Sequence, residues 1–380
     1  MGKNYFLTGA TGFVGRYILK ELLKRDSTSR IFLLARESGG VSGRAKMDDL
    51  LRAMFPAAEY AEHARRIEVL EGDVSLENFG LSGAAYQRLA ETVNIIFHAA
   101  ASIKFDMPLE AAARINVAGT QSVLKLAEKC MELGVLERMN HISTAYVTGK
   151  QQKPQGKIAA IEFANTYEQT KSIAEKLAGD YIRNGLPVTV YRPSIIFGHS
   201  VTGEITTGNI LYLFMLLFSR KMIPSFPCGP DSSLNIITLN YFIDLLFTIA
   251  GLPESVGRAY NITNAGNTNM RELITLACEE LGVKVPDFTP IGRMEALDPK
   301  VREQLAPFIN YIEQSHYFDL SETRQLLANN SLSLDSFCAV NNIKACLKTV
   351  IAYCYDHRLL RKRRRSGAGD DGSEKSRRNG

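Results

Sequence analysis

Tyr167 and Lys171 stand four residues apart in Thr166-Tyr167-Glu168-Gln169-Thr170-Lys171. On a helix that spacing puts both side chains on one face. Such a pair can move a proton. A phenol, with a pKa of about 10, is a poor acid–base group at neutral pH. A neighbouring ammonium stabilises the phenolate and is expected to lower that pKa. Upstream, His141-Ile142-Ser143-Thr144-Ala145-Tyr146 brings two hydroxyls together. Thr144 is expected to bind a carbonyl oxygen and steady the negative charge that develops on it. Asn116, in Ile115-Asn116-Val117-Ala118-Gly119-Thr120, can carry a water to the lysine. Tyr-x-x-x-Lys is common by chance, so its meaning rests on the elements that hold it.

Those elements begin at the head of the chain. The apolar run Tyr5-Phe6-Leu7 is followed by glycines at 9, 12 and 15, and then by the helical pattern Phe13, Val14, Tyr17, Ile18, Leu22 and Leu23. Strand, glycine turn, helix is the context in which a glycine fingerprint means dinucleotide binding. The turn needs residues without a Cβ so that backbone can approach a pyrophosphate. The helix N-terminus then offers that anion free N–H groups and a positive dipole end. The spacing here is G-x-x-G-x-x-G.

Six strand candidates alternate with helical patterns through residue 198. They are Asn4–Thr8, Arg30–Ala35, Ile67–Glu71, Asn94–His98, Met139–Ser143 and Pro187–Tyr191. Helices are expected around 13–25, 44–54, 83–91, 109–132 and 164–184. Continuous apolar strands of this kind are parallel and covered on both faces. The fold class is therefore α/β, a Rossmann-type doubly wound parallel sheet, with ligands at the carboxyl ends of the strands.

The residues that follow each strand fit a dinucleotide. Arg36 follows the second strand, where an arginine accommodates the 2′-phosphate of NADPH and an acid binds the ribose of NADH. Arg36, with Arg16, would supply that charge, and NADPH is the favoured cofactor. Glu37 is the counter-evidence, since it could turn toward the ribose instead. Asp73 and the backbone of Val74 can hold the adenine edge. The small residues Ala99, Ala100 and Ala101 let backbone lie against a ring or a ribose. Lys171 can hold the nicotinamide ribose, and a bound nicotinamide cation would help it lower the Tyr167 pKa.

Composition bounds the rest. The chain has 380 residues and a formal charge of +5. From Arg358 onward there are nine Lys/Arg and three Asp/Glu, which leaves the body near neutral and without the look of a nucleic-acid surface. Six cysteines without a C-x-x-C pair argue against a metal site and fit reduced thiols in the cytoplasm. The first strand starts at about residue 4, so no signal peptide is expected. The apolar stretch Ile210–Phe218 is too short for a bilayer span of about 20 residues. It reads as lobe core, as the wall of an acyl channel, or as a patch making weak membrane-surface contact.

Glycine turn, Gly-Asp-Val, His-Ala-Ala-Ala, Asn-Val-x-Gly-Thr, Ser-Thr-Ala-Tyr and Tyr-x-x-x-Lys occur in order, each at the expected strand or helix. In this the sequence resembles the extended short-chain dehydrogenase/reductases. IFHAAASIKFDMPLEAAARINVAGTQSVLKLAEKC from Ile96, HISTAYV (141–147), YEQTKSIAEKL (167–177) and YRPSIIFG (191–198) further resemble the fatty acyl-CoA reductases. They also resemble the thioester-reductase domains that end carboxylic acid reductases and some peptide synthetases. The resemblance covers residues 4 to about 330. It implies NADPH-dependent reduction of an acyl thioester, on CoA or an acyl carrier protein, to an aldehyde, with a further step to the alcohol left open. Carried over by position, the catalytic set is Thr144, Tyr167 and Lys171. The implied cofactor set is Gly9, Thr11, Gly12, Phe13, Val14, Gly15, Arg16, Arg36, Asp73, Val74, Ala99, Ala100, Ala101, Asn116, Tyr167, Lys171, Pro193, Ser194 and Ile196. Lys104 and Phe105 match the family's stretch at the site mouth.

Residues 1–198 are expected to form the NADP-binding domain, joined by a sheet return at about 234–263. Residues 199–233 and 264–358 are expected to form a smaller, mostly helical substrate lobe, and 359–380 a disordered basic tail. That tail could hold an acidic carrier, CoA phosphates or an anionic membrane, or simply be solvated. The further C-terminal domain usual in fatty acyl-CoA reductases is missing or vestigial in 331–358, which favours a soluble stand-alone reductase. Two other readings stay open. One is a related dehydrogenase acting on a ketone, a hydroxysteroid-like alcohol or a nucleotide sugar. The other is a non-catalytic NADPH sensor. The oligomeric state is left open.

Overall fold

The computed structural model describes residues 2–148, 163–290, 297–313 and 315–361. Six strands fall within a residue or two of their expected places: β1 (Asn4–Thr8), β2 (Arg30–Ala35), β3 (Ile67–Glu71), β4 (Ile95–His98), β5 (Arg138–Ile142) and β6 (Val188–Pro193). Between them run α1 (Phe13–Arg25), α2 (Gly43–Met54), α3 (Ala57–Arg65), α4 (Gly83–Thr92), α5 (Leu109–Ala113), α6 (Gly119–Glu132) and α7 (Thr166–Arg183). The helix α3 was not expected. Only His63 on it is buried, so it carries no apolar period to read.

The remaining elements are β7 (Ile195–Ile196), α8 (Ile210–Ser219), β8 (Ser225–Pro227), β9 (Ser233–Leu234), β10 (Ile236–Ile237), α9 (Leu239–Ala250) and β11 (Ala259–Ile262). They continue with β12 (Thr268–Asn269), α10 (Met270–Leu281), β13 (Asp287–Thr289), α11 (Pro299–Leu305), α12 (Ile309–Glu313), α13 (Ser321–Asn329) and α14 (Ile343–Asp356).

Seven parallel strands form one sheet in the order β11-β6-β5-β4-β1-β2-β3. This is the expected doubly wound α/β fold. The chain leaves β1 toward β2 and returns to β4 on the other side, so the crevice for a ligand opens at the carboxyl ends of β1 and β4. Phe6 and Leu7 of β1 are fully buried, on opposite faces. One face packs under α1 and α9, the other under α4 and α6.

The sheet return is half of what was expected. Strand β11 joins β6 in the main sheet, but β10 pairs only with β7, and β9 only with β12. Two-residue ladders suffice there, because this segment passes from one core to the other. A third core lies in the lobe, where α8 packs with α10 and α14. Seven of the ten residues of α8 are buried, so most of the stretch serves as lobe core. Helix α13 packs on the sheet-side core, so the segment 264–358 contributes to both cores. Leu360 is buried in the lobe core and Leu359 packs on it, which moves the start of the basic tail beyond 359. The tail from 362 lies outside the described residues. Among the described residues no helix is long and apolar enough to cross a membrane.

Candidate active site

The glycine turn is as tight as its spacing implies. Gly9 has φ +79°, and a Cβ there would meet Ala100 N at 2.6 Å. A Cβ on Gly15 would meet Gly9 O at 2.0 Å. Gly12 caps α1 without any side-chain hydrogen bond, so the first N–H groups of the helix face the crevice beside exposed Thr11. Phe13 and Val14 are half-buried at its first turn. Ala99, Ala100 and Ala101 stand opposite, with Ala100 N donating to Thr8 Oγ1 at 3.3 Å. This Cβ-free cradle at a helix N-terminus fits a dinucleotide pyrophosphate.

The adenosine end is built partly as expected. Arg36 pairs with Asp73 at 3.2 Å across the ends of β2 and β3. Hydrogen bonds from Ser75 and the Arg36 charge hold the Asp73 carboxyl below its ordinary range, against burial. Val74 turns its side chain into the core against Gly119, leaving its backbone to face a ligand. Arg16 departs from the expectation. It forms an ion pair with Glu204 at 2.7 Å and lies over the Phe13 ring, so Arg36 alone of the two stands at the end of β2. One helical step beyond Gly15, Arg16 points to the 199–204 loop rather than to the strand ends.

The proton-transfer set converges. Tyr167 lies in the first turn of α7, and its phenol comes close to the hydroxyl of Thr144, which follows β5. Thr144 Oγ1 also donates to Pro193 O at 3.4 Å. Ser194 beside it is buried, with an unpartnered hydroxyl, and Ile196 pairs with Ile237. Lys171 is buried one turn along α7 and donates to Ile142 O at 2.7 Å. Asn116 sits in a π turn, Arg114–Ala118, which splits the single helix expected at 109–132. Its side chain accepts from Ser102 N at 2.8 Å and donates to Thr170 Oγ1 at 2.9 Å. Asn116 thus ties the loop after β4 to α7.

The electrostatics reverse one expectation. The Tyr167 phenol is pushed up to about 12, not down. Burial is the main cause; the Thr144 hydrogen bond opposes it and the Glu168 charge adds to it. The Lys171 ammonium is spent on Ile142 O and is itself lowered to about 8 by burial, with Glu175 opposing. The protein's own groups therefore hold Tyr167 as a neutral phenol, ready to give a proton. Burial and Lys171 also keep His98 uncharged, its pKa lowered to about 3. It is bonded to Thr8 and Thr120 and serves as core.

An aromatic wall completes the site, and sequence reasoning missed most of it. The Phe105 ring lies 5.6 Å from Tyr167, 5.3 Å from Phe308 and 5.6 Å from Tyr311. Phe105, Lys104, Lys300 and Phe308 line a cleft of about 670 Å³. Residues 300–311 carry no motif; they reach the site only through the packing of the lobe.

An NAD-binding family model, described as male sterility protein, matches residues 7–246. The chain belongs to that family. As the resemblance implied, that family is NAD-binding and of the extended short-chain dehydrogenase/reductase kind. The fatty acyl-CoA reductase wat of Drosophila melanogaster is 32% identical over 234 residues, 53% of this chain and 45% of that protein. The nonribosomal peptide synthetase asaC of Aspergillus flavus is 29% identical over 357 residues, 85% of this chain and 34% of that protein. The chain thus spans about a third to a half of the length of these relatives. Among solved structures, the terminal R domain of the myxalamid PKS-NRPS pathway superposes with a TM-score of 0.78 at 24% identity, covering 95% of this chain and 92% of that one. A thiolation-reductase di-domain from an archaeal non-ribosomal peptide synthetase gives 0.72 at 19% identity, over 94% and 76%. These two likenesses show the fold.

Proposed function

We propose that the chain reduces an acyl thioester, with a fatty acyl group, to an aldehyde at the expense of NADPH. The observation that carries this reading is that the Tyr167 phenol and Thr144 lie together at the carboxyl edge of the sheet, with the Tyr167 ring 5.6 Å from Phe105, which lines the cleft. When bound, NADPH supplies the hydride that reaches the thioester carbonyl carbon. Thr144 and Tyr167 donate hydrogen bonds to the carbonyl oxygen as it becomes negative. Tyr167 then gives up its phenolic proton, leaving a hemithioacetal. The C–S bond breaks, the hydroxyl proton passes to sulfur, and thiol and aldehyde leave. Lys171, one turn along the same face of α7, would offset the phenolate left behind. The same groups can accept the aldehyde for a second reduction to alcohol.

Arg36 supports NADPH over NADH. It is exposed, and its surface pair with Asp73 is weak enough to open for a 2′-phosphate. The likeness to peptide synthetases supports a carrier-bound thioester, and the fatty acyl-CoA reductase relative supports a CoA thioester. The test is NADPH oxidation with a long-chain acyl-CoA and with the same acyl group on a carrier protein, products scored by mass spectrometry. Aldehyde or alcohol from either supports the proposal; tight NADPH binding without turnover on both overturns it. Tyr167→Phe should cut turnover by about 10²–10⁴-fold while NADPH still binds. Unchanged turnover would remove Tyr167 from the mechanism.

A further inference from the structure

The first turn of a helix has no partners of its own for its N–H groups and is held from outside. In α7 that turn carries Tyr167, and its neighbours are tied to other parts of the molecule. Thr166 Oγ1 donates to Met107 O at 2.9 Å, in the loop that holds Phe105. Asn165 Oδ1 accepts from Glu168 N at 2.9 Å, and Asn165 Nδ2 donates to the Tyr311 hydroxyl at 3.1 Å. That hydroxyl donates to the Glu168 carboxylate, whose other oxygen accepts from Ala164 N at 2.9 Å. Asn310 Nδ2 adds a bond to Ala164 O at 3.4 Å.

Glu168 is 2% exposed and Tyr311 3%. A carboxylate so buried is tolerated only when hydrogen-bonded, so the Tyr311 link is a condition of the local geometry. Tyr311 belongs to α12 and packs in the lobe core, while Glu168 adjoins Tyr167 on the sheet side. The Phe105 ring fills the space between the Tyr167 and Tyr311 rings. A side chain on the lobe therefore meets the catalytic turn by two routes, one polar and one aromatic.

We propose that Glu168 and Tyr311 are a positioning pair, through which the substrate lobe sets the seat of the Tyr167 phenol. The pair touches no reacting atom and acts through Tyr167. Occupation of the cleft beside Phe105 and Phe308 is then felt at the proton donor, because the lobe and the first turn of α7 share this link. The inference rests on Tyr167 being the proton donor of the proposed reduction.

The test is a cycle of variants in the full chain, read as the single-turnover rate of hydride transfer from NADPH. Tyr311→Phe keeps the ring and loses the hydroxyl, and should slow the step by roughly ten- to a hundredfold. KM for NADPH should stay near wild type, and the melting temperature should fall only modestly, since Ala164 N still bonds the carboxylate. Glu168→Ala should slow it at least as much, and Glu168→Gln, whose one amide oxygen can accept from Tyr311 but not also from Ala164 N, should recover part of the rate. In a Tyr167→Phe background, Tyr311→Phe should cost nothing further, since its effect passes through the missing phenol. A wild-type rate in Tyr311→Phe, or an equal loss in both backgrounds, overturns the proposal. So does a loss that appears equally in KM for NADPH and in melting temperature.

Every variant is run on the thioester and on a medium-chain aldehyde. Wild-type activity on the aldehyde alone sinks the thioester reading and leaves the pair measurable. A wild type silent on both, or an unaffected Tyr167→Phe, overturns the reading and the pair together.

Discussion

Tyr167 enters the reaction uncharged, and that suits reduction better than oxidation. A phenol at about 12 has a proton to give, whereas removing a proton from an alcohol would need the phenolate. Lys171, lowered to about 8, is then the group that titrates first. As pH rises through that value it loses its charge and with it the ability to offset a nascent phenolate. Turnover should therefore fall on the alkaline side near pH 8, with Tyr167 still protonated. A pH–rate profile flat well beyond that point would remove Lys171 from this role. At the other end of the cofactor, Arg36→Ala should weaken NADPH by at least about tenfold and leave NADH nearly unchanged, since only the 2′-phosphate asks for the guanidinium. Equal losses for both cofactors, measured by fluorescence titration, would reassign Arg36 to a structural role.

The elements divide sharply into those that local pattern dictates and those that packing dictates. Gly15 belongs to the first kind. A methyl group there would strike Gly9 O at 2.0 Å, so Gly15→Ala should open the turn. The expected result is loss of cofactor binding and a cost of about 1–3 kcal/mol in stability, read by calorimetry and by denaturant titration. Unaltered NADPH affinity would show that the turn is not the cradle. The apolar runs of β1 to β6, the glycine turn and the Tyr167–Lys171 spacing were legible because each is set within a few residues of sequence. The π turn at Asn116 was not, because its extra residue leaves the apolar period of a single helix almost intact. Nor was the raised pKa of Tyr167, which depends on burial by Phe105 and on the charge of Glu168. Tyr311 and Phe308 escaped altogether: they lie more than a hundred residues from Tyr167, and only lobe packing brings them to it. Arg16 misled because its type suits a phosphate while its place on α1 turns it to Glu204.

At the scale of the whole molecule, three apolar cores share two boundaries, and the candidate site lies where they meet. The sheet carries two cores and the lobe a third, with Tyr146 of the β5 edge packed among lobe residues. On the proposed reading, chemistry sits on the sheet and selection of the acyl group falls to the lobe. The strand order has one more consequence, and it concerns synthesis. The strand β1, first to be made, ends in the middle of the sheet between β2 and β4. Its second neighbour exists only once Ile95, partner of Tyr5, has left the ribosome. At roughly 5–20 residues per second, this buried central strand waits several seconds with one edge open. A nascent chain stalled in that interval presents an unpaired hydrophobic edge, open to aggregation and to a chaperone.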